Sequence, residues 1–359
     1  MNILLLNINT RSWGGIESYA DVLASVLLNR GHNVMVSSRT DNPLVLKSTG
    51  AVIRTAKIRI HNSGDIIAIF KIIKLCLTAN VDLIIANQGK DFWPATLAAK
   101  ISRRRIMIIR HQTVRLKKTT CWLLNQLVDK VVAVSHAVKD SLVVAGVSDN
   151  KVFVIHNCIA LNRFDPDRID SHEVRKELGI DVSDIVLGAV GKLHRGKGVY
   201  DLLYAFSGLT KKYRFLKLLF VGSGPERENL EREAERLFIR EKVIFTGVRA
   251  DVERMYAAVD LFVLPSTCVE AFGMGIIEAM AMRKPVIGSA IGGIPEIISH
   301  GLNGILVPPK NVDSLSEAIA GYIENKEAFR EIASAGRKTV ELRFSDKQYG
   351  DKFEALLKR

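Results

Sequence analysis

The chain has 359 residues, 48% hydrophobic and 25% charged. That is the composition of a folded globular protein, long enough for two domains, and it excludes a disordered or fibrous chain. The four cysteines, Cys76, Cys121, Cys158 and Cys268, form no CxxC pair and so point to neither a zinc site nor a disulfide framework; reduced thiols in a cytosolic protein are the expectation. The net charge of +13 is one-sided: residues 1–165 hold 22 Lys and Arg against 10 Asp and Glu, whereas residues 166–359 hold 29 against 28. An anionic partner is therefore expected for the first half.

The N-terminal run Met1–Asn9 is too short for a signal peptide and lacks a basic n-region. It predicts a buried strand at Ile3–Leu6, and no stretch approaches the ~20 apolar residues of a membrane-spanning helix. Ile16, Tyr19, Leu23, Val26 and Leu27 recur at helical spacing, and Gly31 closes that helix. Strands follow at Val34–Ser37, Val81–Ala86, Ile106–Ile109, Lys130–Val134 and Val152–Ile155. The pattern breaks at Asn162-Arg-Phe-Asp-Pro-Asp167 and restarts with strands at Ile185–Val190, Lys217–Val221, Lys242–Thr246, Leu261–Pro265 and Pro285–Ser289. Strand–helix alternation of this kind predicts an α/β fold of two doubly wound parallel sheets. The expected domains are 1–165 and 166–340, with a helix over 341–359 returning to the first.

Glu270-Ala-Phe-Gly-Met-Gly-Ile-Ile-Glu278 follows the strand Leu261–Pro265 and opens a helical pattern. Glu270 falls in the loop at the strand's carboxyl end, the end that faces ligand in open α/β sheets, and Glu278 one to two turns into the helix. Gly273 and Gly275 permit close backbone approach, and a helix N-terminus suits phosphate. Two carboxylates beside a phosphate site need sugar or ribose hydroxyls to bind. On these two residues alone, a capping Glu and a solvated Glu explain the pattern equally well.

Gly191-Lys-Leu-His-Arg-Gly-Lys-Gly198 follows the strand Ile185–Val190. Cations there can neutralise the charge that a departing diphosphate gains as its sugar bond breaks. Gly14-Gly15 lies between the first strand and first helix, and His111 sits just beyond Ile106–Ile109. Gly222-Ser-Gly224 invites a dinucleotide reading, but the third glycine is replaced by Arg227, so an oxidoreductase is rejected. Asp165-Pro-Asp167 has the letters of a metal-holding DxD motif but lies at the domain boundary, and no His, Asp or Cys cluster has metal-ligand spacing.

Glu270…Glu278 resembles the E-x7-E motif of glycosyltransferase family 4, retaining enzymes of the GT-B fold. Asp260–Ser266, Glu278-Ala-Met-Ala281, Gly292-Gly-Ile-Pro-Glu296 and Asn303–Pro308 follow the same pattern. The resemblance covers nearly the whole chain, most strongly residues 186–310. It implies two Rossmann-like domains facing across a cleft. It implies that Glu278 binds the ribose of the donor nucleotide, and that Glu270 with Phe272, Gly273 and Met274 holds the donor sugar. Lys197 matches the family's diphosphate-binding lysine. Lys192 stands where the family usually has Arg, which loses the bidentate fork, with Arg195 as a compensating cation. Gly15 is implied near the donor phosphate, and His111 near the donor sugar; His136, in Ser135-His-Ala137, reads as structural. Cys158 and Ala160, in His156-Asn-Cys-Ile-Ala160, depart from the family's Asn-Gly-Ile-Asp.

These residues lead to a retaining, metal-independent glycosyltransferase that needs no cofactor and uses a UDP- or GDP-sugar as donor. The rival readings are a GT-B nucleotide-sugar epimerase and a sugar-nucleotide-binding protein without turnover. The acceptor is expected to be a cell-envelope glycan or a lipid-linked glycan, because family members commonly use such acceptors. Lys100, Arg103, Arg104, Arg105, Arg110, Arg115, Lys117 and Lys118, with no acidic residue among them, point to docking on the anionic cytoplasmic leaflet. Nucleic acid is not expected, since no recognition motif or aromatic platform accompanies the charge.

Overall fold

A computed structural model describes residues 1–6, 15–38, 44–46 and 48–358. The chain divides into two compact units, residues 1–160 with 346–359 and residues 161–345. In unit 1 the strands are β1 (Asn2–Leu6), β2 (Asn33–Ser38), β3 (Leu44–Val45), β4 (Val52–Lys57), β5 (Leu83–Ala86), β6 (Arg105–Arg110), β7 (Lys130–Ala133) and β8 (Val152–Val154). They form one sheet in the order β3-β4-β2-β1-β5-β6-β7-β8, parallel except for the β3–β4 pair. Its helices are α1 (Gly15–Asn29), α2 (Ile66–Thr78), α3 (Phe92–Ile101), α4 (Lys118–Gln126) and α5 (His136–Val144). The central strands are apolar throughout: Leu4–Leu6, Ile84–Ala86 and Ile106–Ile109 are fully buried or nearly so, as a sheet covered on both faces requires.

Unit 2 runs α6 (Ser171–Glu177), β9 (Ile185–Val190), α7 (Val199–Leu209), β10 (Leu216–Val221), α8 (Arg227–Arg236), β11 (Val243–Gly247), α9 (Val252–Ala258), β12 (Leu261–Leu264), α10 (Met274–Ala281), β13 (Val286–Ser289), β14 (Ile305–Val307), α11 (Val312–Glu324) and α12 (Lys326–Arg343). The six-stranded sheet has the order β11-β10-β9-β12-β13-β14 and every pair is parallel.

In each sheet the chain moves outward in one direction and then returns to the other side of its first strand. The reversal falls between β1 and β5 in unit 1 and between β9 and β12 in unit 2. Ligands of open α/β sheets bind outside the carboxyl ends of the strands at such a reversal.

The pattern break at residues 162–167 lies at the start of unit 2, which begins at residue 161 rather than 166. Arg163 donates to Glu253 at 2.8 Å and to the carbonyl of Ala250, and the Phe164 ring lies 6.2 Å from that of Tyr256. Residues 341–345 also stay with unit 2, where Phe344 packs edge-on against Phe272 and Arg343 donates to the Glu296 carbonyl. The last helix, α13 (Asp346–Lys358), belongs to unit 1. Tyr349 shares a hydrogen bond with Tyr19 of α1, and Arg30 pairs with Asp351 at 2.6 Å.

Candidate functional site

At the β9–β12 reversal of unit 2, three loops lock together. Gly191 has φ +141° and lets the chain turn at the end of β9. A short 3-10 turn over Arg195–Lys197 follows, closed by Gly198 at φ +68°. A Cβ at Gly198 would stand 1.8 Å from the Pro265 carbonyl oxygen, so only glycine fits. The Thr267 amide donates to the Gly196 carbonyl at 3.0 Å, and the Thr267 hydroxyl to that of Arg195 at 3.1 Å. The third loop clamps Glu270: the Gly293 amide donates to its carbonyl at 2.8 Å, and a Cβ at Gly292 would stand 2.1 Å from the same oxygen.

This locking brings Lys197 and Glu270, 73 residues apart, into a contact of 2.6 Å between Nζ and Oε2. Ser266 donates to the same oxygen at 3.1 Å. Both partners are half-buried. An ammonium has three donors, so the pairing leaves Lys197 able to bind phosphate oxygens. Lys192 is exposed and joins Lys197, Ala189, Leu264 and Pro265 in lining a small pocket. Arg195 turns away: its Nε lies 3.3 Å from Glu226 and its guanidinium 5.2 Å from the Tyr200 ring centre.

Gly273, at φ +109°, is the N-cap of α10, and Met274 is that helix's first residue. Phe272 is buried against Phe344. Glu278, just past the first turn, accepts a hydrogen bond from the Tyr256 hydroxyl at 2.7 Å. Burial pushes the Tyr256 phenol well above its ordinary value, so it stays the donor. Burial also raises the Glu278 carboxyl, against the Tyr256 hydrogen bond, which lowers it. Nothing in the sequence marks Tyr256: on α9 it reads as one more apolar core position.

Gly222 and Gly224 have a steric explanation. Cβ atoms there would stand 2.0 Å from the Gly191 carbonyl oxygen and 2.2 Å from that of Leu193. The GxG segment thus lets β10's end press against the Lys192 loop.

Gly15 and His111 belong to unit 1. Gly15 opens α1, and Gly14 lies outside the described residues. His111 follows β6 directly, with its ring edge-on to Tyr19 at 4.5 Å between centroids. Burial, with Arg110 beside it, pushes the imidazole down to about 3, so it is neutral near pH 7. Its Nε2 is buried without a hydrogen-bond partner among the described residues. The rings of His136 and His156 lie 5.8 Å apart in the same unit.

The basic segment 100–118 does not form one face. Lys100 and Arg103–Arg105 sit at the amino end of β6, and Arg115, Lys117 and Lys118 beyond its carboxyl end, a strand length of about 20 Å away. Arg110 is buried and donates to the Val114 carbonyl at 2.6 Å, while Lys100 pairs with Asp129 at 2.9 Å. The sequence also missed an exposed apolar face on α2, where Ile66, Ile67, Phe70 and Leu77 are each more than half exposed.

Two Rossmann-like units with these sheets define the GT-B fold of glycosyltransferases. The crystal structure of HepE from Anabaena, in complex with UDP and glucose, matches with a TM-score of 0.86 and 25% identity over 99% of each chain. Residues 170–339 match the group 1 glycosyl transferases and residues 13–163 match glycosyltransferase family 4; the chain belongs to this family of glycosyltransferases. Among relatives, the glycosyltransferase MJ1607 of Methanocaldococcus jannaschii is 33% identical over 60% of this chain, which spans only 56% of that protein's length. The capsular polysaccharide biosynthesis glycosyltransferase CapM of Staphylococcus aureus is 28% identical, over 82% of this chain and 80% of CapM. Among the described residues no helix is long and apolar enough to cross a membrane.

Proposed function

We propose that this protein transfers a sugar, with retention of anomeric configuration, from a nucleotide-sugar donor bound at the β9–β12 edge of unit 2. The observation that carries this reading is the 2.6 Å contact between Lys197 and Glu270 at the sheet's reversal point. Lys197, with Lys192, neutralises the diphosphate as it departs, an interaction stronger in the transition state than in the ground state. Glu270 holds Lys197 in place and, with the backbone at Phe272, Gly273 and Met274, binds the donor sugar. The second oxygen of Glu278 takes a ribose hydroxyl while Tyr256 occupies the first. Arg195, committed to Glu226 and Tyr200, has no direct role in this scheme.

Retention is supported by the state of Glu270 and His111. Glu270 is tied by an ammonium and a hydroxyl, and His111 is too weak a base to accept a proton at neutral pH. The leaving phosphate itself then assists attack from the same face. His111 offers a neutral hydrogen bond, and Gly15 a backbone amide at the start of α1. No metal is required, since Lys197 supplies the charge. Turnover lost in EDTA and restored by magnesium or manganese would overturn that part and turn attention to His136 and His156.

The donor is taken to be a UDP-sugar, because HepE was solved with UDP-glucose. The acceptor is taken to be a lipid-linked or cell-envelope glycan under assembly, in line with the capsular polysaccharide role in the name of CapM. Docking of unit 1 on an anionic membrane is supported by α2, whose exposed apolar residues flank Lys71 and Lys74 and which carries no acidic side chain. Thermal shift against UDP-, GDP- and ADP-sugars tests the donor: a ligand at 100 times its Kd should stabilise by about 2.7 kcal/mol. No shift with any of them would sink the reading, and NMR showing an inverted product would sink the mechanism.

A further inference from the structure

The reversal point of unit 1 carries an unusual side chain. Asn87 follows β5 immediately, at its carboxyl end and next to β1. It is only 2% exposed, and neither its amide nitrogen nor its amide oxygen has a hydrogen-bond partner among the described residues. A buried amide left without partners is costly, and native proteins rarely tolerate one without a use for it. A second orphan lies one strand away. Ala86 pairs with Ile108 across β5 and β6, and His111, with its buried unpartnered Nε2, stands three residues beyond Ile108.

We infer that Asn87 is a binding residue for a sugar hydroxyl at the β1–β5 edge of unit 1. An amide offers two donors and an oxygen acceptor, and so matches a hydroxyl, which both donates and accepts. His111 is neutral and can share a hydrogen bond with a hydroxyl, and Arg110, whose Nη1 lies 3.9 Å from a Cβ placed on Gly89, donates through Nη2 to the Val114 carbonyl. The inference rests on the proposed transferase reading, because the hydroxyl belongs either to the donor sugar or to the group that attacks it.

Asn87→Leu, close to asparagine in volume, and Asn87→Ala test it. The donor probe is whichever of UDP-, GDP- and ADP-glucose raises the wild-type Tm most. Because the carboxamide has no hydrogen-bond partner among the described residues, Asn87→Leu, which keeps the volume, should not lower the Tm of the unliganded protein. Affinity for the free nucleoside diphosphate should be unchanged, while its release from the nucleotide sugar, with water as the attacking hydroxyl, falls about 10- to 100-fold. A raised KM for the nucleotide sugar assigns the contact to the donor's hydroxyl; a lowered kcat with unchanged KM assigns it to the attacking one. A lower Tm in Asn87→Leu makes the amide structural and overturns the inference, as does unchanged release of diphosphate. Failure of the transferase reading looks different: the wild type itself then neither binds nor turns over any of the three probes, and the inference falls with it.

Discussion

The carboxyl edges of the two sheets solve opposite problems with opposite chemistry. In unit 2 the charged side chains that face each other at the edge are paired, Lys197 with Glu270, Glu270 also with Ser266, and Glu278 with Tyr256, while Ser289 Oγ at the end of β13 has no partner among the described residues. In unit 1 the matching place carries two uncharged side chains, Asn87 and His111, with buried atoms that have no hydrogen-bond partner among the described residues. Paired charges hold their geometry before a ligand arrives, which suits a charged diphosphate. Unpartnered neutral groups gain most when a hydroxyl arrives. The contrast teaches that a strand-end position alone does not define a site's chemistry; the pairing state of its polar atoms does.

The largest effect should come from breaking the charged edge. Lys197→Ala is expected to lower kcat/KM by about 10²- to 10³-fold, through loss of charge stabilisation at the departing diphosphate; steady-state kinetics with a drop under about threefold would remove Lys197 from the mechanism. Next comes Glu278→Gln, which keeps the Tyr256 hydrogen bond but not the charge. Calorimetry should show nucleoside diphosphate binding weaker by about 1.5–3 kcal/mol, and unchanged affinity would reassign the ribose contact.

Smaller effects are expected on unit 1. Lys74→Gln should weaken flotation with vesicles of anionic lipid by about fivefold, near 1 kcal/mol for one lysine, and high salt should release the wild type. Binding indifferent to lipid charge would leave the α2 face without this role. The smallest signal concerns His111. Its folded value, about 3, lies below the ordinary 6.5, so the fold favours the neutral ring. That contribution is present above about pH 6.5 and is lost as pH falls from there toward 3. His111→Gln cannot titrate, so its Tm should fall less steeply across that window; equal slopes would mean that the imidazole is not held neutral.

The sequence made unit 2 far more legible than unit 1. Glu270 to Glu278 and Gly191 to Gly198 are contiguous motifs, each set directly after an apolar strand, so spacing alone places them at one edge. The Lys197–Glu270 contact was not readable, because three interlocked loops and the close approach at Gly198 create it. Tyr256 looked like core because its ring is core and only its hydroxyl serves the site. Asn87 sits in an ordinary strand-to-helix turn, and nothing in Ala86-Asn87-Gln88-Gly89 announces a buried amide. Strands β3, β4 and β14 were missed for a related reason: β3 has two residues and β14 three, and β4 alternates Arg54 and Lys57 with small and apolar residues, so none shows the long apolar run of a central strand.

The membership of α13 in unit 1 bears on the order in which the protein is made. Domains generally fold as units while the chain leaves the ribosome, the N-terminal one first. Here Tyr19 waits for a partner 330 residues downstream, and Arg30 for Asp351. Every residue of unit 2 is synthesised before either arrives. The unit that begins first is therefore the one completed last, and stopping translation ahead of Asp346 leaves a finished second unit tethered to an unfinished first.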